Sequence, residues 1–191
     1  MTDIDIDFAD RTKILEIVRN VPATIASADG SSKRHNTGIY CHRIPINPIT
    51  GTASIDYKEA EKRGYMKLDF LNVSIYQGVK DEDHLVRLLS QEPIWDLLLE
   101  DDFTNQVFHV NGHGEILRKM KPRSIEELAM VLAMIRPAKR HLIGKSWDEI
   151  RKEIWTKPIS DEYYYKKSHS IAYAAAVVVH MNLLCEELTS G

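Results

Sequence analysis

The chain has 191 residues, 43% hydrophobic and 28% charged, with a net charge of −3. This suits one domain, or a small domain with a helical lobe, and no internal repeat or low-complexity segment interrupts it. Two cysteines, Cys41 and Cys185, exclude a disulfide scaffold; the acidic start lacks an apolar leader, and the run Ile171 to Val179 is too short for a bilayer, so the expectation is a cytoplasmic protein without a membrane role.

The first element is Asp3-Ile-Asp-Ile-Asp-Phe8, in which acids alternate with apolar residues at the period of a half-buried strand. Ile4, Ile6 and Phe8 are expected to face a core, and Asp3, Asp5 and Asp7 to share the other face. Alternate residues on a strand lie about 6.5–7 Å apart, so these carboxylates repel one another unless positive charge lies between them. A hard divalent cation would supply that charge. An acidic edge strand facing water accounts for the same pattern.

Next, Asp10 can cap a short helix whose apolar face is Ile14, Ile17 and Val18. Pro22 to Arg34 reads as a loop that turns at Asp29-Gly30-Ser31-Ser32. His35 to Ile44 reads as a strand; Pro45, Pro48 and Gly51 break the chain before a second strand, Ala53 to Tyr57. A charged helix, Lys58 to Arg63, leads through Gly64 into the strand-like run Tyr65-Met-Lys-Leu-Asp-Phe-Leu71. Asp69 stands in this run, with Lys67 two residues before it. Two carboxylates from one strand and a third from its neighbour can hold two metal ions for phosphoryl transfer.

From Asp83 onward the periodicity is helical. Leu85, Leu88 and Leu89 mark one helix, and Ile94, Leu97 and Leu98 another. Ser124-Ile-Glu-Glu127 and Ser146-Trp-Asp-Glu149 have capping-box spacing, and Pro137 stops the helix that the first one opens. The last helix spans about Ser168 to Leu188, with small residues at Ala172, Ala174, Ala175 and Ala176. Charge follows the same division. Residues 1–112 hold 12 Lys/Arg against 18 Asp/Glu, whereas residues 113–167 hold 13 against 8. An acidic half beside a basic half fits a metal site next to a polyanion-binding surface, although +5 over the second stretch also fits ordinary surface charge.

Several of these stretches resemble the family C replicative polymerases, the alpha subunits of bacterial DNA polymerase III. Asp3-Ile-Asp-Ile-Asp-Phe8 is similar to their Pro-Asp-x-Asp-x-Asp-Phe palm motif, and Lys67-Leu-Asp-Phe-Leu71 to Lys-Phe-Asp-Phe-Leu-Gly. Arg34-His-Asn-Thr-Gly-Ile39 resembles Arg-His-Ala-x-Gly-Val. In the helical half, Thr104-Asn-Gln-Val-Phe-His-Val110, Leu117-Arg-Lys-Met-Lys-Pro122, Met134-Ile-Arg-Pro137 and Tyr165-Lys-Lys-Ser-His-Ser-Ile-Ala-Tyr173 resemble fingers motifs in the same order.

The resemblance implies an α+β fold. A small mixed sheet of the family C palm type (polymerase-beta-like) would occupy residues 1–80, followed by a helical fingers lobe over 81–191. It implies a DNA polymerase, a nucleotidyltransferase in which Asp3, Asp5 and Asp69 bind two Mg²⁺ ions, or Mn²⁺ in their place. Asp7 is not among the family's catalytic acids. Lys67, Arg136, Lys167, Ser168 and His169 are expected to contact the nucleotide, with a salt bridge that relieves the acid cluster as the alternative for Lys67. Arg118, Lys119, Lys121, Arg140 and Lys166 are expected to lie along DNA, with a solvated basic face as the alternative for the first four. The family's Gly-Ser unit, which grips the triphosphate upstream of the first aspartates, has no counterpart here. The partners implied are therefore primer–template DNA, dNTP and a second polypeptide that completes the palm. A non-catalytic module that binds DNA or a replisome protein is the alternative, and a degenerate interaction protein without a DNA role is the third reading.

Other chemistries lack their motifs. His109 and His113 have i, i+4 spacing, but His-Val-Asn-Gly-His lacks the glutamate of a zinc hydrolase helix. No Gly-Lys-Ser/Thr phosphate loop, dinucleotide fingerprint or serine nucleophile elbow occurs.

Overall fold

A computed structural model describes residues 4–27, 30–158, 162 and 164–190. The chain is α+β and divides into two units, Met1–Gln77 and Gly78–Gly191.

The first unit is built on a four-stranded mixed sheet in the order β1-β4-β3-β2. Its strands are β1 (Ile4–Phe8), β2 (Val21–Ala26), β3 (Ser32–Tyr40) and β4 (Leu68–Asn72). β1 runs parallel to β4, while β4 with β3 and β3 with β2 are antiparallel. Helix α1 (Arg11–Ile17) follows β1, and α2 (Tyr57–Lys62) precedes β4. Asp10 caps α1 by accepting the Thr12 N–H, and Asp56 caps α2 through the Lys58 N–H.

Four expectations are corrected in this unit. Ile4 and Ile6 are 39% and 36% exposed, because β1 is an edge strand and only Phe8 packs closely, 4.8 Å from the Phe70 ring. Ile17 is 80% exposed and α1 buries no residue, since its seven residues end before a second apolar turn can form. The expected loop over 22–34 is instead a hairpin: β2 places Val21, Ala23 and Thr24 in the interior. Pro22 is tolerated because β2 is an edge strand and its register shifts between Pro22 and Thr24. Ala53 to Tyr57 is not a strand; two isolated bridges, Ile46 with Ala53 and Thr24 with Asp56, tie it down.

The second unit is helical. It comprises α3 (Glu82–Ser90), α4 (Asp101–Thr104), α5 (Gly114–Met120), α6 (Ile125–Met134), α7 (Trp147–Glu153) and α8 (Lys167–Ser190), with tight turns at Trp95–Leu99 and Pro137–Leu142. Ser124 caps α6 through the Glu127 N–H, and Ser146 and Glu149 form a complete capping box on α7. Every residue of α6 from Leu128 to Met134 is buried, so it is the axis of the core, and α8 packs along it. α8 is long and apolar enough by composition to cross a membrane, a length the run Ile171–Val179 did not convey. Its Ala174, Val177, Val178 and Met181 nevertheless sit in the core, and Asn182 donates to the Leu88 and Gln91 carbonyls. α8 is the central partner of α6.

Candidate functional sites

In the first unit, parallel pairing makes Asp5 the register partner of Asp69, and the antiparallel pair puts Gly38 on the other side of Asp69. Residues in register share a face, so β1 and β4 present two carboxylates to one side of the sheet. Asp5 is exposed and Asp69 is 6% exposed. Asp3 lies outside the described residues. Asp7 is one step further along β1, opposite Leu71, and its charge helps raise the Tyr76 pKa, after burial.

Asp69 is held at both oxygens. Thr37 Oγ1 donates to Oδ1 at 2.7 Å, and the Lys67 ammonium pairs with Oδ2. Gly38 makes this possible: a Cβ there would lie 2.8 Å from Lys67 Cδ and 3.0 Å from His35 Nδ1. His35 Nδ1 is 3.8 Å from Asp69 but accepts the Gly38 N–H at 2.9 Å and the Thr37 N–H at 3.2 Å, so its lone pair faces the backbone. That tautomer makes the 3.8 Å approach no ion pair. Burial first, and then the Lys67 charge, lower the His35 pKa against the opposing pull of Asp69. Tyr40, on the same strand, has a buried hydroxyl with no partner among the described residues. Burial, reinforced by Asp56, Asp69 and Glu61, pushes its pKa up to about 12.

Asp5, Asp69 and the Thr37 hydroxyl are all hard oxygen donors, which suits Mg²⁺ in kind. In number they fall short: among the described residues no three His, Cys, Asp or Glu side chains converge on a metal-sized point. Lys67 also neutralises one of the two acids.

The second unit gathers a different set. Arg136, at the end of α6, lays its guanidinium 4.1 Å from the Tyr165 ring centroid and donates to the Tyr165 hydroxyl. Its Nε is buried without a partner among the described residues. Tyr165 and Tyr173 stack at 5.9 Å, His169 stands edge-on to both, and His109 meets Tyr173 at 4.2 Å. His109 has φ +61, a conformation few non-glycine residues adopt. Burial, then the charge of Arg136 and proximity to His169, bring its pKa down to about 4. Thus Arg136 and His169 are brought to one aromatic cluster, while Lys167 and Ser168 are exposed in the first turn of α8. Sequence reasoning weighed His109 only as a zinc ligand and gave Tyr165 and Tyr173 no role of their own; the signal was present as ring-bearing residues at four-residue spacing over 165, 169 and 173.

The residues expected along DNA do not form one stripe. Arg118 pairs with Asp101, and Lys121 is the exposed, left-handed cap of α5. Lys166 is exposed just before α8. Lys119 and Arg140 meet at a cavity. Lys139, between Arg136 and Arg140 in sequence, is 2% exposed and donates to the Glu153 carbonyl and Thr156 hydroxyl, a structural role.

Comparisons with known proteins find no family model, no curated protein and no solved structure that matches this chain.

Proposed function

We propose that the chain is a palm and fingers related to the family C polymerases: a DNA-directed nucleotidyltransferase, or one piece of a split one, acting on a primer 3′-hydroxyl. The observation that carries this reading is the register pairing of Asp5 with Asp69 on adjacent parallel strands. Clustered carboxylates repel, so a fold that aligns them gains most when a cation occupies the face. The order of the short motifs along the chain supports the same reading.

In this reading Asp3, Asp5 and Asp69 hold Mg²⁺ or Mn²⁺, which would activate the 3′-hydroxyl and neutralise the triphosphate. Thr37 fixes the carboxylate plane of Asp69 through its 2.7 Å hydrogen bond. Lys67 exchanges Asp69 for a triphosphate oxygen. Arg136, Lys167, Ser168 and His169 contact the nucleotide, Arg136 with a planar fork suited to phosphate oxygens. Arg118, Lys121 and Lys166 face the DNA backbone.

The test is primer extension with Mg²⁺, using the chain with and without a polypeptide that supplies a Gly-Ser palm strand and helix. Extension should be poor alone and restored by the addition, and Asp69→Asn protein should stay inactive with it. In parallel, Mg²⁺ should raise the melting temperature of wild type and not of Asp5→Asn or Asp69→Asn. Equal shifts in all three proteins would end the metal assignment.

One observation favours a second reading, a non-catalytic DNA- or replisome-binding module: both oxygens of Asp69 already have partners in Thr37 and Lys67. Under it, primer–template is retained in a strongly salt-dependent way, and Mg²⁺ leaves the melting temperature unchanged.

A further inference from the structure

Lys119 on α5 and Arg140 in the 137–142 turn line one cavity of about 240 Å³. Ile116, Ile135 and Ile143 also line it, with His113 and Glu115 beside them. Neither cation forms an ion pair among the described residues, unlike Arg118, one position before Lys119, which pairs with Asp101. The approach to Lys119 is guarded by backbone geometry. Gly144, at φ +91, lies under its side chain, and a Cβ there would fall 2.7 Å from Lys119 Cε. His113 reports the potential inside: burial, then the charges of Arg136 and Arg140, lower its pKa. The cavity is therefore positive, neutral at its histidine and apolar over part of its wall.

We infer that this cavity binds a nucleoside 5′-phosphomonoester, with the phosphoryl group between Lys119 and Arg140 and the base against the isoleucines. Two unpaired cations match a monoester dianion better than a phosphodiester, which carries a single charge. The volume falls just below the ~300–1,000 Å³ of drug-sized sites, a size that suits a ligand no larger than a single nucleotide. Glu115 places a carboxylate on the same wall, which repels a bare polyanion and rewards a ligand with an N–H donor, as an exocyclic amine on a base provides. The monoester has two sources, a free nucleotide or the 5′-phosphate end of a strand. The cavity is lined by residues of the second unit, and its occupancy does not depend on the chemistry proposed for Asp5 and Asp69.

The experiment is amide-resolved NMR titration of the full chain with AMP, adenosine, inorganic phosphate, and one short oligonucleotide carrying either a 5′-phosphate or a 5′-hydroxyl. AMP or the phosphorylated oligonucleotide should shift the amides of Gly112, Ile116 and Ile143. Adenosine and phosphate should each bind more weakly by at least about ten-fold, since each makes half the contacts. K119Q/R140Q should weaken the monoester by at least about ten-fold; both side chains are exposed, so the fold should be retained, and the shift map on wild type needs no variant. Binding of AMP alone identifies the free nucleotide as the ligand, and binding of the phosphorylated but not the hydroxyl oligonucleotide identifies a strand end. Asp69→Asn protein should bind as wild type does, which keeps this result apart from the polymerase reading. No shift at those amides with millimolar AMP or phosphorylated strand, or undiminished affinity in K119Q/R140Q, would overturn the assignment.

Discussion

The two units handle charge and apolar surface in opposite ways. In Met1–Gln77 the interior is small, with Val21, Ala23, Tyr40, Ile44, Ala53 and Ala60 as one buried cluster. A buried carboxylate, Asp69, is fully partnered there, while Ile4 and Ile6 remain exposed at the sheet edge. In Gly78–Gly191 the apolar residues of α6 and α8 fill a large core, and some cations around it have no ion-pair partner among the described residues. Arg136 keeps a buried Nε without a partner among the described residues, and neither Lys119 nor Arg140 forms an ion pair among them, although Glu115 lines the same cavity. The difference teaches where the apolar core lies: the helices carry most of the burial, while the sheet holds the buried carboxylate of Asp69 between Thr37 and Lys67.

The largest effect should come from the helical core. Leu128 is fully buried in α6, so Leu128→Ala should cost about 2–5 kcal/mol. Urea denaturation followed by near-UV signals of Trp95, Trp147 and Trp155, all in the second unit, will read it. A loss below about 1 kcal/mol would mean that α6 is not the axis of the core.

Next is the ion pair of the sheet. Lys67→Met leaves Asp69 with Thr37 as its remaining named donor and should destabilise by about 3 kcal/mol, because a buried charge loses its counter-ion. Adding Asp69→Asn to Lys67→Met should recover part of that loss. Strict additivity in this double-mutant cycle would show that the two groups do not interact.

A third effect is pH-dependent and belongs mainly to the helical unit. Burial and nearby positive charge bring the folded-state pKa of His109 down to about 4, below the ordinary histidine value of 6.5, so the unfolded chain binds more protons between these values. Stability from His109 is fully present above the unfolded pKa and is lost as pH falls from about 6.5 towards 4. Lowered pKa values at His113, His180 and His35 act in the same direction. His109→Asn, which tolerates the left-handed backbone, should flatten the slope of stability against pH in that window without abolishing it. An unchanged slope would remove His109 from the account.

The smallest effect should follow loss of the exposed pair between Arg118 and Asp101. Arg118→Ala should change stability by less than about 1 kcal/mol and leave nucleotide binding at the Lys119–Arg140 cavity intact. A larger loss would blur the contrast between paired and unpaired cations on α5.

The alternation of Asp3 to Phe8 and the apolar run around Asp69 were enough to mark β1 and β4 as strands; that they pair, and so align Asp5 with Asp69, is a property of the sheet. Helices with strong caps, at Ser124 and Ser146, were equally legible, because capping is local chemistry. The β2–β3 hairpin was not. Val21-Pro-Ala-Thr-Ile-Ala26 mixes small residues with a proline, and Pro22 suits a strand only once β2 is known to be an edge. Edge position is a property of the whole sheet, which also explains why Ile4 and Ile6 stay exposed despite a clean alternation. The partners of Asp69 divide in the same way. Lys67 stands two residues away and was legible beside it, whereas Thr37 reaches it from β3, and no local pattern announces that contact.

The pairing of β1 with β4 has a consequence for how the chain assembles. Ile4 meets Leu68 and Phe8 meets Asn72, so two neighbouring strands are separated by nearly the whole of the first unit. During synthesis β1 emerges first and has no sheet to join until β4 has left the ribosome. The β2–β3 hairpin, with its short connection, can form earlier, since closing a loop of ten residues takes only about 10–100 ns. The long closure that brings β1 to β4 costs more entropy and comes later. The aspartates of the candidate site are thus aligned at the end of folding, and their mutual repulsion is met only after the rest of the sheet exists to bear it.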